Sequence, residues 1–365
     1  MLRTVLHPST LTALIAVLLM LLMACFPAPV LESSLKGLSI WWDVLFPALF
    51  PFFVLSELML GLGIVHFAGK LLDPFMRPVF RIPGSGGFVL AMGYLSGYPV
   101  GARLTSQLWD QRLINKVEGE RLVAITTSSD PIFLIGAVSV GFFHQAAIAP
   151  VLAAAHYGGS LLIGLLMRFH GRDETTSDTA AENGLGKSTG ARSASRARSQ
   201  RGLSAALKAM HVARQLDGRP FSVLIKDAIQ SGLKLMIVVG GLVVLFSVVM
   251  ELLRQTALLN LLEQALGLVF QAFGGSPTSA TTIVNGLFEV TLGAKSAAET
   301  EAPLMHQTAL AAWVLSWAGL SVHAQIASLL SHTGMRYRPF LIARFLHGLL
   351  AASLVYILWG WLGPA

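Results

Sequence analysis

The sequence predicts an all-α polytopic membrane protein built from two inverted repeats with re-entrant hairpins, and three observations predict it. The chain is 54% hydrophobic and only 12% charged, about half the charged share of a soluble domain, with a mean hydropathy of +0.66. Seven apolar stretches are close to the roughly 20 residues needed to cross hydrocarbon. Short motifs of the first half return in the second half at one nearly constant spacing.

The elements follow in order. Residues 11–30 form an uncharged first span, expected to be retained as a helix although Arg3, the apolar run and Cys25 also resemble a signal sequence or lipoprotein box. Residues 38–65 form a second span that carries Asp43, Glu57, Pro47 and Pro51. Residues 66–79 follow with the 3.6-residue period of a surface helix, with His66, Lys70, Asp73 and Arg77 on one face. Residues 84–101 are apolar but crowded with Gly, Ser and Pro, which predicts a re-entrant hairpin buried in protein. Spans are then predicted at 122–143, interrupted by Asp130-Pro131, and at 148–167.

Residues 170–220 are polar and basic, and are expected to be a disordered cytosolic linker. The second half runs in parallel: a span at 236–250 ending near Glu251, a surface helix over 258–270, a hairpin over 274–293, and spans at 308–330 and 345–362, about seven transmembrane helices in all. Trp359 and Trp361 suit an interfacial belt. The domain boundaries are 1–37, 38–169, 170–220 and 221–365.

Four motif pairs lie 192–194 residues apart: Glu57 with Glu251, Gly93 with Gly286, Gly101 with Gly293, and Ser128 with Ser321. With both hairpins re-entrant, nearly all Lys and Arg fall in the inside segments 64–121, 168–235 and 331–344, the last holding Arg336, Arg338 and Arg344. Only Lys36, Arg254 and Lys295 remain outside, as the positive-inside rule expects. This topology gives the halves opposite orientation. Inverted repeats with broken elements at mid-membrane characterise secondary transporters.

The net charge of +7 would suggest nucleic acid in a soluble protein. No aromatic interleaves with the linker arginines, so no nucleic-acid partner is expected. The single cysteine excludes an internal disulfide or a cysteine metal site. No catalytic motif, phosphate loop or histidine ligand spacing is present; enzyme activity, a metal and a cofactor are not expected.

Charges at bilayer depth are costly and therefore mark candidate sites. Asp130 follows Ser128 and Ser129 and precedes Pro131, which disfavours helix there; it either caps a half-helix or contacts a solute or ion. Asn285 and Glu289 sit in the second hairpin, and Ser321 is the repeat partner of Ser128. Arg103 and Lys295 end the two hairpins, either as topology anchors or as attractors of an anion. The candidate coupling groups are Glu57, Asp130 and Glu289.

The phrases FPFFVLSELMLGLGIVHFAGKLLDPFMRPVFRIPG, GYLSGYPVGARL, SSDPIFLIGAVSVGFFH, AHYGGSLLIGLLMRF and GLFEVTLGAK closely resemble the YlbJ (SpoVV) family of sporulation integral membrane proteins. That family belongs to the nucleoside-recognition (Gate) group and is distantly similar to concentrative nucleoside transporters. The resemblance implies a multi-pass protein of the cell membrane or outer forespore membrane that moves dipicolinic acid during endospore formation. Its implied partners are dipicolinate and the bilayer, with a homo-oligomer or other spore membrane proteins left open. Transport of another organic anion or a nucleoside, and a non-transporting spore scaffold, stand as alternatives. Dipicolinate is a flat dianion at neutral pH. Half-helix N-termini and two hairpin cations suit it, whereas Asp130 and Glu289 suit it only if protonated or ion-paired.

Overall fold

The computed structural model describes residues 8–171, 203–272 and 274–364, and among these the fold is helical without strands. The first half of the chain contains α1 (Pro8–Cys25), α2 (Pro27–Ser39), a π-helical turn at Ile40–Leu45, α3 (Phe46–Gly61), α4 (Ile64–Phe80), α5 (Ser85–Ser96), α6 (Tyr98–Asp110), α7 (Lys116–Thr126), α8 (Ile132–Phe142, π-helical) and α9 (Ala149–Met167). The second contains α10 (Leu203–Asp217), α11 (Phe221–Gln255), α12 (Leu258–Ala272), α13 (Thr278–Phe288), α14 (Val290–Ala298), α15 (Leu304–Trp317), α16 (Gly319–Leu330) and α17 (Tyr337–Leu362).

Four described helical stretches are long and apolar enough to cross a membrane: Ala146–Met167, Phe221–Gln255, Leu304–Leu330 and Tyr337–Leu362. Two further pairs bend sharply: Thr10–Cys25 with Pro27–Asp43 by 105°, and Leu49–Gly61 with Ile64–Phe80 by 82°. The expected first span of 11–30 is therefore not one helix. It breaks at Phe26, where Pro27 starts a new helix, because proline at a helix start supplies no amide to continue the preceding ladder.

The repeats meet through one pair of equivalent helices. Helical backbone runs without a gap from Pro27 to Gly61, widened by the π-turn ahead of Pro47. Its counterpart α11 spans 35 residues, from Phe221 to Gln255, and both of its ends lie 194 positions further along. The two pack antiparallel. A Cβ on Gly37 would lie 2.8 Å from Ser247 Oγ, one on Gly232 would lie 3.2 Å from Phe50, and one on Gly61 would lie 2.8 Å from Leu224. The Trp41 indole donates to the Met236 carbonyl at 2.9 Å. Equivalent helices running head to tail along their whole length are what a twofold axis in the membrane plane requires.

The predicted hairpins are present as α5–α6 and α13–α14. Their legs hold 12 and 13, then 11 and 9 residues, so none exceeds about 20 Å and none spans a core of about 30 Å. The glycine pairs matched by spacing lie where the hairpin legs approach each other and the neighbouring span: a Cβ on Gly93 would meet the Thr126 carbonyl at 2.9 Å and Gly101 Cα at 3.5 Å, and one on Gly293 would meet Gly286 N at 2.7 Å. The surface helices are α4 and α12. Leu258, Leu261, Leu268 and Val269 of α12 are exposed, an apolar face suited to the lipid boundary.

Two further expectations are corrected. Residues 203–217, expected within a disordered linker, form α10. Leu203, Ala206, Leu207 and Met210 give it an apolar stripe, and it packs on α4. The rest of that linker, 172–202, lies outside the described residues. Arg344, expected in an inside loop, lies two turns within α17 and is fully buried, because the helix already begins at Tyr337.

Candidate functional site

Each repeat places an interrupted span against a hairpin turn. In the first, α7 ends at Thr126, residues 127–130 are unwound and α8 begins after Pro131. In the second, α15 ends at Trp317, and Ala318 and Gly319 take left-handed backbone (φ 76° and 78°) before α16. Pro131 removes the amide that would continue the first span. The second break is the left-handed pair, where glycine carries no Cβ penalty.

Asp130 sits beside the first hairpin turn. Its Oδ1 accepts the Phe133 amide at 2.9 Å, so the carboxylate caps α8. A Cβ on Gly97, whose φ is +86°, would lie 3.0 Å from Asp130 Oδ2. In the second repeat the chemistry swaps elements. Glu289, at the hairpin turn, accepts the Leu292 amide at 2.8 Å and caps α14, and the glycine, Gly319, is on the broken span. A Cβ on Gly319 would meet Glu289 N at 3.1 Å. The Trp317 indole donates to the Leu287 carbonyl at 3.1 Å and ties the two together. Each break thus carries one carboxylate and one glycine.

The two breaks are joined by buried polar side chains from α9 and α17, which are equivalent helices. His156 Nε2 accepts the Ser129 amide at 3.0 Å and lies 2.9 Å from Ser128 Oγ. A backbone amide can only donate, so the proton of the neutral ring is on Nδ1, and this donates to Ser316 Oγ at 2.9 Å. His347 takes the other tautomer: Nε2–H donates to the His156 carbonyl at 2.8 Å, and Nδ1 accepts from Arg344 at 3.0 Å. The Arg344 guanidinium donates to the carbonyls of Thr127 and Ala124 in the first repeat and, at 3.4 Å, to that of Ser316 in the second. Tyr98 of the first hairpin reaches the Leu315 carbonyl of α15 at 2.8 Å, and Tyr157 reaches the Ser129 carbonyl at 3.1 Å.

The structure therefore brings Ser128, Ser129 and Asp130 into one buried cluster with His156, Ser316, Arg344 and His347. Ser321 is buried in α16, just beyond the second break. Asn285 is buried in α13 and donates to Ser296 Oγ at 2.7 Å, while its Oδ1 is buried without a partner. Arg103 does not stand free: it lies 3.4 Å from Glu57 Oε1, which also accepts from Gln107 at 2.6 Å. These groups line a small cleft with Ser231 and Gly232 of α11. Lys295 is exposed and 3.8 Å from Glu299. Among the described residues, no three His, Cys, Asp or Glu side chains converge as metal ligands would.

Arg344, His156 and His347 were not singled out from the sequence. Their signal was burial: a charge and two rings on apolar helices, recognisable once α9 and α17 are taken as spans.

Comparison with known proteins agrees with this architecture. The nucleoside-recognition (Gate) family model matches twice, at residues 43–142 and 236–336. The chain is 43% identical over 333 residues to the sporulation integral membrane protein YlbJ of Bacillus subtilis (strain 168), covering 91% of this chain and 78% of that one. No solved structure matches. The chain belongs to the Gate family of integral membrane proteins, with one Gate unit in each repeat.

Proposed function

We propose that this two-Gate membrane protein is a transporter that moves dipicolinic acid across the outer forespore membrane during endospore formation. One observation carries the reading: two inverted repeats present interrupted helices and hairpin turns to one central buried polar cluster. A scaffold needs no such cluster, and each buried polar group in it has a desolvation cost. Broken helices related by inversion are the means by which secondary transporters expose one central site to either side in turn. The sporulation role follows the printed name of the B. subtilis relative.

In this reading the hydroxyls of Ser128, Ser129 and Ser321 donate to a carboxylate-bearing solute, those of Ser128 and Ser129 turning to it from their partners His156 and the Asp130 carbonyl. Asp130 and Glu289 act as the groups that carry coupling protons. Arg103 and Lys295 serve at the periphery, since each has an acidic neighbour of its own. The test is the dipicolinic acid content of spores from cells lacking the protein, with the mother-cell pool measured in parallel. The reading expects spore content to fall while the mother-cell pool rises. Unchanged spore content rejects it.

A nucleoside is the second reading, favoured by the buried unpartnered Oδ1 of Asn285 beside Glu289, which together offer the amide and carboxylate a nucleobase or ribose would use. The scaffold alternative predicts that deleting residues 175–200 abolishes function, whereas transport through the helical core predicts that function survives.

A further inference from the structure

The Arg344 side chain is a full positive charge with no solvent exposure, and among the described residues it forms no ion pair with a carboxylate. Its neighbours are backbone carbonyls. Ala124 and Thr127 belong to the end of α7, and Ser316 to the end of α15. A helix C-terminus carries about −0.5 of an elementary charge. Two of them converging on one guanidinium supply about −1 in total, enough to account for a buried cation that lacks an acid. The fourth neighbour, His347, presents a lone pair from Nδ1. The Nε of Arg344 has no partner.

Unwound carbonyls at half-helix C-termini are also the donor set that holds free Na⁺ in broken-helix transporters. We propose that Arg344 is a tethered cation, occupying from within the chain the position that a free monovalent cation would otherwise take between the two breaks. It joins the repeats through carbonyls of both, and it makes this site independent of Na⁺. Coupling through Na⁺ at this position is thereby excluded, which leaves the capping carboxylates as the remaining charges at the breaks. The donor set also argues against the guanidinium as a receptor for an anionic solute: all but one of its nitrogens point at carbonyls, and those carbonyls would repel an anion.

This inference deepens the transport reading and rests on it only for its second readout. The first is the thermal unfolding midpoint of the purified protein in detergent. Wild type is expected to show the same midpoint in sodium and in choline chloride. Arg344→Ala is expected to lose about 5 °C or more in choline and to regain at least half of the loss on adding methylguanidinium or sodium ions. Arg344→Lys, which keeps the charge, is expected to retain most of the midpoint and serves if the alanine variant does not fold.

The second readout is dipicolinate uptake by wild-type proteoliposomes, expected to be equal in sodium and in choline. Sodium-dependent uptake by wild type would overturn the proposal. So would an Arg344→Ala midpoint that no small cation restores, or an Arg344→Lys midpoint as low as that of the alanine variant. If wild type takes up no dipicolinate in either salt, the transport reading fails, while the midpoints still decide the role of Arg344.

Discussion

Asp130 and Glu289 each hold the amide of a half-helix through one carboxylate oxygen, and this separates two effects a substitution would have. Asparagine caps as well as aspartate, whereas alanine costs about 1 kcal/mol. Asp130→Ala is therefore expected to lower the thermal midpoint, and Asp130→Asn to leave it in place while uptake loses its dependence on a proton gradient. Gradient-dependent uptake by Asp130→Asn would reduce Asp130 to a cap. Gly97→Ala is expected to destabilise by about 1–3 kcal/mol through its left-handed backbone, and also through the new methyl 3.0 Å from Asp130 Oδ2. A wild-type midpoint for Gly97→Ala would contradict the close approach of hairpin and break. At this scale the sequence was informative where chemistry is local: Pro131 after Asp130 marks an unwound capping point. It was uninformative for Arg344, which stands close to Arg336 and Arg338 and reads as one more topology charge until the start of α17 is known.

At the level of elements, a second polar connection joins the repeats away from the central cluster. Glu120, buried in α7, accepts from the Arg336 amide at 2.8 Å and from its guanidinium at 2.9 Å, and lies 2.6 Å from His170 Nε2. This fixes the start of α17 against α7. Glu120→Gln removes the charge under those donors and is expected to cost about 2 kcal/mol, read as a lower midpoint together with faster amide exchange at the start of α17. Arg336→Ala should cost at least as much, because it leaves the buried Glu120 carboxylate without its guanidinium partner.

The α10–α11 corner gives a weaker, pH-dependent contact. Arg219 hydrogen-bonds to Asp217 and holds that carboxyl below the usual aspartate range. A depressed carboxyl stabilises fully above its unfolded value of about 3.9 and loses that contribution as pH falls through the lower folded value. For so exposed a pair the effect stays below about 1 kcal/mol. Amide exchange over residues 203–217 should therefore accelerate only in strong acid.

The elements were legible where composition is distinctive. Gly, Ser and Pro crowding marked both hairpins, and helical periodicity marked α4 and α12. The continuity of helix from Pro27 to Gly61 was not legible. The first span was expected to end at residue 30 and the second to begin at 38, whereas the π-turn Ile40–Leu45 joins α2 to α3 without leaving helical backbone, and Pro51 lies inside α3.

For the whole molecule, inversion is the organising fact, and it was anticipated from four motif pairs at one spacing. The structure extends that spacing from single residues to an entire helix and packs the helix antiparallel on its counterpart. It also shows why the motif glycines recur: they sit where the hairpin legs approach each other and the neighbouring span. Inversion predicts which side each loop faces. In a Cys25→Ser background, Arg254→Cys should react with a membrane-impermeant maleimide added outside, and Arg112→Cys only after permeabilisation. Both side chains are exposed, so labelling of the two from the same side would contradict the topology.

In the proposed transport, the two twofold-related bundles enclose one solute path. Uptake of labelled dipicolinate by the purified protein in proteoliposomes, with uridine as comparison, tests it most directly. A dipicolinate transporter should show saturable dipicolinate uptake that unlabelled dipicolinate competes away and uridine does not. Uptake no greater than that of protein-free vesicles would contradict it.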